Sequence, residues 1–184
     1  MRVVGGEAKG RPLRAPRHAG LRPTSDRVKE AIFDLLEARD LVAGSEVLDL
    51  FAGSGALGIE ALSRGAASCT FVDSDPRALE AIEQNLAAVG FAGRSGISLV
   101  RSDAAVWLAA SRREAGLALV DPPYRFSGWG GLLASLRAGH AVLEHAAGTE
   151  PELAGTGYET IRRYRYGGTL VTLVAQHPTD KDAP

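Results

Sequence analysis

The stretch VLDLFAGSGALG, residues 47–58, constrains this chain more than any other, because it joins a short apolar strand to a glycine-dense turn and then to a helix. Val47, Leu48, Leu50 and Phe51 read as a buried parallel strand. Gly53, Gly55 and Gly58 allow tight backbone geometry and let a ligand approach main-chain N–H groups at a helix N-terminus. Their spacing is also that of a dinucleotide fingerprint, with Asp73 about 20 residues after Gly53, where a ribose-binding acid is expected. Asp49 speaks against that reading. It sets a carboxylate inside the strand, close to where pyrophosphate would approach, and suits a ligand carrying a cation better.

Around this unit the pattern alternates. An amphipathic helix is expected from a Thr24 or Ser25 N-cap to about Arg39, its stripe of Val28, Ala31, Ile32, Leu35 and Leu36 packed on the main sheet. Strands are expected at 47–51, 69–73, 97–101, 118–120 and 141–143, with helices after the glycines, from Asp75-Pro76 to a Gly90 C-cap, at 104–113 and at 129–137. Repeated crossovers of this kind predict an α/β fold, a mainly parallel sheet with helices on both faces. Two β-rich runs around Gly167-Gly168 predict an antiparallel hairpin added to that sheet. The first residues, a short β-prone run followed by Gly5-Gly6 and basic residues, read as a small hairpin or arm outside the core. The expected division is a basic arm over 1–20, a single domain over 21–177 and a frayed tail over 178–184.

One cysteine, Cys69, excludes an intramolecular disulfide, and His18, His140, His145 and His177 are too scattered to predict a metal site. No apolar run approaches the ~20 residues of a membrane span, so a cytoplasmic protein with no membrane partner is expected, monomeric by default. The net charge of -1 hides an uneven distribution. Arg2, Lys9, Arg11, Arg14, Arg17, Arg22, Arg27 and Lys29 stand in the first 30 residues against Glu7, Asp26 and Glu30. Such an arm can neutralise phosphates.

Ligands of an open α/β sheet sit outside the carboxyl ends of its strands, so the residues ending each strand belong together. Here these are Asp49 with the glycines, Asp73, Asp103 and then Asp121-Pro122-Pro123-Tyr124. Consecutive prolines remove two donors and leave carbonyls that only accept, which beside a carboxylate makes an acceptor-only pocket. That pocket suits the two protons of an NH₂ group, with Tyr124 able to stack on the ring that bears it.

At this point the chain resembles the S-adenosylmethionine-dependent methyltransferases of the Rossmann-like class, in which DPPY or NPPY follows the fourth strand and marks amino-group methylation of adenine, cytosine or guanine. More narrowly it is similar to the bacterial 16S rRNA guanine-N2 methyltransferase family. The marks are RVVGGEAKGRPL, LRPTSDRVKEAIFDLL, DLFAGSGALGIEALSRGA and DPPY in that order, with RRYRYGGTLVTLV at the terminal hairpin. The resemblance implies a seven-stranded class I methyltransferase fold and methyl transfer to the N2 amine of a guanine of the position-966 type. It implies that Asp49 with Gly53, Ser54 and Gly55 holds the methionine end of S-adenosylmethionine. Asp73, with Ser74 beside it, would take the ribose, and Asp103 with Ala104 the adenine. Asp121, Pro122, Pro123 and Tyr124 would hold the target guanine. Arg11, Arg14, Arg22 and Arg27 become candidate contacts to 16S rRNA, within a partly assembled small subunit. Arg125, Phe126 and Trp129 receive no role. The rival readings are a DNA amino-methyltransferase acting on adenine N6 or cytosine N4, an NAD-dependent oxidoreductase, and a non-catalytic RNA-binding or assembly module.

Overall fold

A computed structural model describes residues 1–15 and 26–177; the Thr24 and Ser25 cap positions, Arg17, Arg22 and the tail from Pro178 lie outside them. Seven strands form one sheet: β1 (Glu46–Leu50), β2 (Ser68–Asp73), β3 (Ile97–Arg101), β4 (Ala115–Val120), β5 (Ala138–Ala146), β6 (Tyr158–Tyr166) and β7 (Thr169–Gln176). Their order is β3-β2-β1-β4-β5-β7-β6. The first five strands pair in parallel, while β7 runs antiparallel to both β5 and β6.

Side chains of a strand alternate between faces, and both faces of this sheet are covered, which is why β1, β2 and β4 read as nearly continuous apolar runs. Val47, Cys69, Phe71, Leu117 and Leu119 pack in one layer with α1 (Asp26–Glu37), α2 (Ala56–Ser63) and α3 (Pro76–Ala88). Leu48, Leu50, Val72, Ala118 and Val120 pack in the other with α4 (Ala104–Ala110) and α5 (Trp129–Ser135). Asp75 caps α3 by accepting the Arg77 N–H, Pro76 opens the helix, and Gly90 turns the chain after it at φ 79°. Among the described residues no helix is long and apolar enough to cross a membrane.

The expectation that the N-terminus stays outside the core is corrected. A bridge joins Arg2 to Pro12, as a hairpin requires, but Val3, Ala8 and Leu13 are buried in the layer that holds α1 and α2. The cause is a polar anchor that the sequence pattern did not display. Glu60 of α2, fully buried, accepts the N–H groups of Val4 (2.9 Å) and Gly5 (2.7 Å) and pairs with Lys29 (3.3 Å) and Arg64 (2.9 Å). Lys29 in turn donates to the Arg2 carbonyl at 2.6 Å. Burial pulls the Lys29 ammonium below its ordinary pKa, and the attraction of Glu60 opposes this.

Candidate active site

β1 and β4 are neighbours, with Leu50 opposite Val120, and the strand order reverses between them. Such a switch point leaves a crevice at the carboxyl ends of the two strands. The glycine turn leaves β1 there, and Asp121-Pro122-Pro123-Tyr124 leaves β4 beside it.

Each part of the turn has a physical reason. Phe51 sits at φ 59°, a left-handed conformation that costs a bulky residue about 1–3 kcal/mol, and Gly53 and Gly55 follow at 55° and 73° without that cost. Gly58 is needed for close approach instead, because a Cβ there would collide with the Phe71 ring and lie 2.7 Å from Cys69 Sγ and 2.8 Å from Asp49 Oδ2. The main-chain donors are also engaged within the turn. Gly58 N–H donates to Asp49 Oδ2 (2.8 Å), Gly53 N–H to Asp73 Oδ2 (2.8 Å) and Gly55 N–H to the Ala52 carbonyl (2.7 Å). Carboxylates and a carbonyl thus already hold these three glycine donors, which disfavours pyrophosphate and the dinucleotide reading.

Asp49 is buried, and burial, followed by the neighbouring charges of Asp121 and Asp73, raises its carboxyl well above the usual range despite the Gly58 hydrogen bond. Three acids at adjoining strand ends thus make a site whose electrostatic strain a cation relieves. Asp73 accepts one N–H on each oxygen, from Gly53 and from Asp75, so each oxygen retains a lone pair for a hydroxyl. Ser74 is exposed beside it and Ser54 half-buried in the turn. Asp103 caps α4 through Val106 N–H (3.0 Å) above a buried Ala104. These acceptors thus suit a ligand with cationic and hydroxylated portions laid across the ends of β1 and β2.

On the other side of the crevice Tyr124 is 43% exposed, enough to offer its ring, while its hydroxyl is tied to Thr169 Oγ1 at 2.9 Å. A cavity of about 390 Å³ opens next to it, lined by Tyr124, Phe126, Trp129, Thr149 and Glu150 among others. Phe126 packs edge-on against both Phe51 (5.2 Å) and Trp129 (5.3 Å), so the segment after the prolines spans from the cofactor turn to α5. Pattern reading missed Glu144 and His145 as well. Both are buried and line a second, small recess with Pro122, Pro123 and Tyr124. His145 Nδ1 donates to the Ala146 carbonyl (3.2 Å), an acceptor only, so Nε2 accepts from Thr172 Oγ1 (3.0 Å); burial lowers its pKa and favours this neutral form. The available signal was positional: β5 carries a polar pair directly after Leu143, which lies opposite Val120.

Among the described residues the candidate RNA contacts Arg11, Arg14 and Arg27 do not form one group. The Arg11 guanidinium lies against Gly90, just past the C-terminal end of α3. The Arg14 main chain is held by Asn85, which also donates to the Ser54 carbonyl. Arg27 is exposed in the first turn of α1 and acts electrostatically on Tyr166 of β6, near the opposite edge of the sheet. Arg22 lies outside the described residues.

A sheet of this order, with an acid-tipped glycine turn at its switch point and Asp121-Pro122-Pro123-Tyr124 beside it, defines a Rossmann-like methyltransferase, whose cofactor is S-adenosylmethionine. Residues 1–175 match the family described as conserved hypothetical protein 95, and the chain belongs to that family. It is 40% identical to YlbH, a candidate rRNA methyltransferase of Bacillus subtilis, over 94% of this chain and 97% of that protein. It is 42% identical to ribosomal RNA small subunit methyltransferase D of Escherichia coli over 125 residues, 68% of this chain and 61% of that protein. The solved structure of the candidate methyltransferase yhhF of Escherichia coli superposes with a TM-score of 0.81 at 31% identity, over 97% of this chain and 99% of that one.

Proposed function

We propose that the protein transfers a methyl group from S-adenosylmethionine to the N2 amine of a guanine in small-subunit rRNA. The observation that carries this reading is the side-by-side exit of the glycine turn and of Asp121-Pro122-Pro123-Tyr124 at the β1–β4 switch point. The relatives named for small-subunit rRNA methylation support the substrate class.

Bound across Asp49, the Gly53–Gly55 turn, Asp73 and Asp103, S-adenosylmethionine supplies a methyl group activated by its sulfonium. Asp121 and the Pro122 carbonyl accept the two amine hydrogens of the guanine, which turns the nitrogen lone pair away from the ring and toward that methyl. Tyr124, anchored by Thr169, stacks on the base. With the cofactor so held, the amine nitrogen would take the methyl as its bond to sulfur is given up, and the proton in excess on nitrogen would pass to water. Asp121 then acts by orientation rather than as an obligatory base. Holding the reacting atoms in near-attack geometry contributes roughly 7–11 kcal/mol. The target base is unpaired or flipped, at a cost of a few kcal/mol that is smallest in a loop.

The test is mass spectrometry of nucleosides from small-subunit rRNA of a strain lacking the gene, treated with the purified protein and labelled cofactor, naked or as partly assembled subunits. N2-methylguanosine at one site, and none in a DNA pool treated alongside, is the expected result. Methylation of the DNA alone would move the assignment to a DNA amino-methyltransferase.

A further inference from the structure

We infer that the edge strand β6 is an RNA-docking edge that grips the phosphates flanking the target nucleotide, an assignment that rests on the proposed RNA substrate. The register places it there. β6 is antiparallel to β7 and β7 to β5, so β6 ends at the same side of the sheet as the strands that form the crevice. Arg165 pairs with Leu170, which pairs with His145; Arg163 pairs with Thr172, which pairs with Leu143. The three strand spacings from β4 to β6 amount to ~14 Å. Arg163 acts electrostatically on His145 and Glu150, both at the DPPY side of the molecule.

The side chains have the chemistry that a phosphate chain requires. Arg162, Arg163 and Arg165 are exposed, and among the described residues none of them pairs with an acid. Arg163 Nε donates to Thr172 Oγ1 (3.4 Å) and Arg165 Nε to the Gly167 carbonyl (3.1 Å). Neutral acceptors thus orient both guanidinium groups, the exposed Glu150 acts on Arg163 only from beyond ion-pair distance, and the Nη pairs are left for bidentate phosphate contact. On the opposite face of the strand Tyr164 and Tyr166 stack, Arg162 lies over Tyr164, and Arg27 of α1 acts on Tyr166. Edge strands also carry charge merely to block association with other sheets, for which lysine is the usual residue. Arginines held by neutral acceptors on one face of the strand, level with the transfer site, instead suit contact with phosphates.

The experiment uses the full chain and small-subunit rRNA from a strain lacking the gene, read by binding and methyl transfer across a salt series. Arg163→Ala with Arg165→Ala should weaken rRNA binding by about tenfold at physiological salt and reduce the slope of log affinity against log salt by roughly 1.4, two single-strand phosphates. Calorimetric affinity for S-adenosylmethionine should not change. Arg39→Ala with Arg137→Ala, which removes the same charge from other exposed positions, should leave the slope in place, and Arg163→Lys with Arg165→Lys should restore most of it. An unchanged slope and affinity in the double alanine variant, with the wild type active on the same rRNA, would overturn the β6 assignment alone. A wild type that neither binds nor methylates the rRNA would instead overturn the proposed substrate.

Discussion

The two walls of the crevice are built from different materials. The side proposed for the cofactor, at β1 and β2, is closed by main-chain hydrogen bonds to Asp49 and Asp73 and by Gly58, whose place a Cβ cannot take without collision. The side proposed for the substrate, at β4, β5 and β7, is assembled from Tyr124, Phe126, Trp129 and His145, side chains from separate segments that meet through rings and hydroxyls. A wall made of backbone holds one ligand shape and fails as a unit. A wall made of side chains changes by degrees, and one position can be altered without loss of the fold.

The largest effect that separates the walls is expected from Asp121→Ala. Asp121 ends β4 and belongs to the substrate side in the proposed mechanism, so transfer should fall by about 10²–10³-fold or more while calorimetric affinity for S-adenosylmethionine stays near wild type. Unchanged turnover would remove Asp121 from the mechanism. Gly58→Ala should do the reverse. The added methyl meets Phe71 and Cys69, both fully buried, and displaces the Asp49 hydrogen bond, so unfolding in urea should show a loss of about 1–3 kcal/mol together with weakened cofactor binding. A variant of full stability and normal affinity would mean that the cofactor wall yields as readily as the other.

Asp49 sharpens the contrast through pH. Its carboxyl is raised in the folded protein, first by burial and then by Asp121 and Asp73. The folded state therefore prefers the proton: stability is fully present below the unfolded value of about 3.9 and declines as pH climbs from there toward the raised one. A cationic ligand prefers the ionised carboxylate. Its affinity should rise across that same window, by up to about tenfold per pH unit, and level off above it. Calorimetry over a pH series checks this, and Asp49→Asn should flatten the profile. A flat wild-type profile would mean that the cation of the cofactor lies away from Asp49.

This division also explains what could be read from residues alone. The cofactor wall is local: strand, turn, helix and cap fall within residues 46–76, and Val47–Gly58 with Asp75-Pro76 displays them in order. The substrate wall is not. β5 was expected at 141–143 because Gly139, His140, Glu144 and His145 interrupt its apolar run, yet it spans Ala138–Ala146 because both neighbours, β4 and β7, pair with it. β4 likewise begins at Ala115, paired to Ala138, while α4 stops at Ala110, where Ser111 turns extended. The N-terminal hairpin was legible as a hairpin but not as core, since its anchor is the Lys29–Glu60–Arg64 cluster on two helices, whose charges resemble a solvated face.

Phe126 is where the two walls touch, and its replacement gives the smallest and most discriminating effect. Its ring packs edge-on against Phe51, the strained residue of the cofactor turn, and against Trp129, which packs in turn on His145. Each aromatic pair contributes about 0.5–1.5 kcal/mol beyond area burial. Phe126→Ala should therefore loosen the alignment of the two sites more than either site itself: a few-fold lower kcat for rRNA methylation, little change in cofactor affinity, and stability within about 1–2 kcal/mol of wild type. Phe126→Leu fills the space without the ring geometry and should recover stability before it recovers kcat. If both variants lost cofactor affinity and kcat together, the turn would depend on the substrate wall for its shape, and the crevice would behave as one unit rather than two.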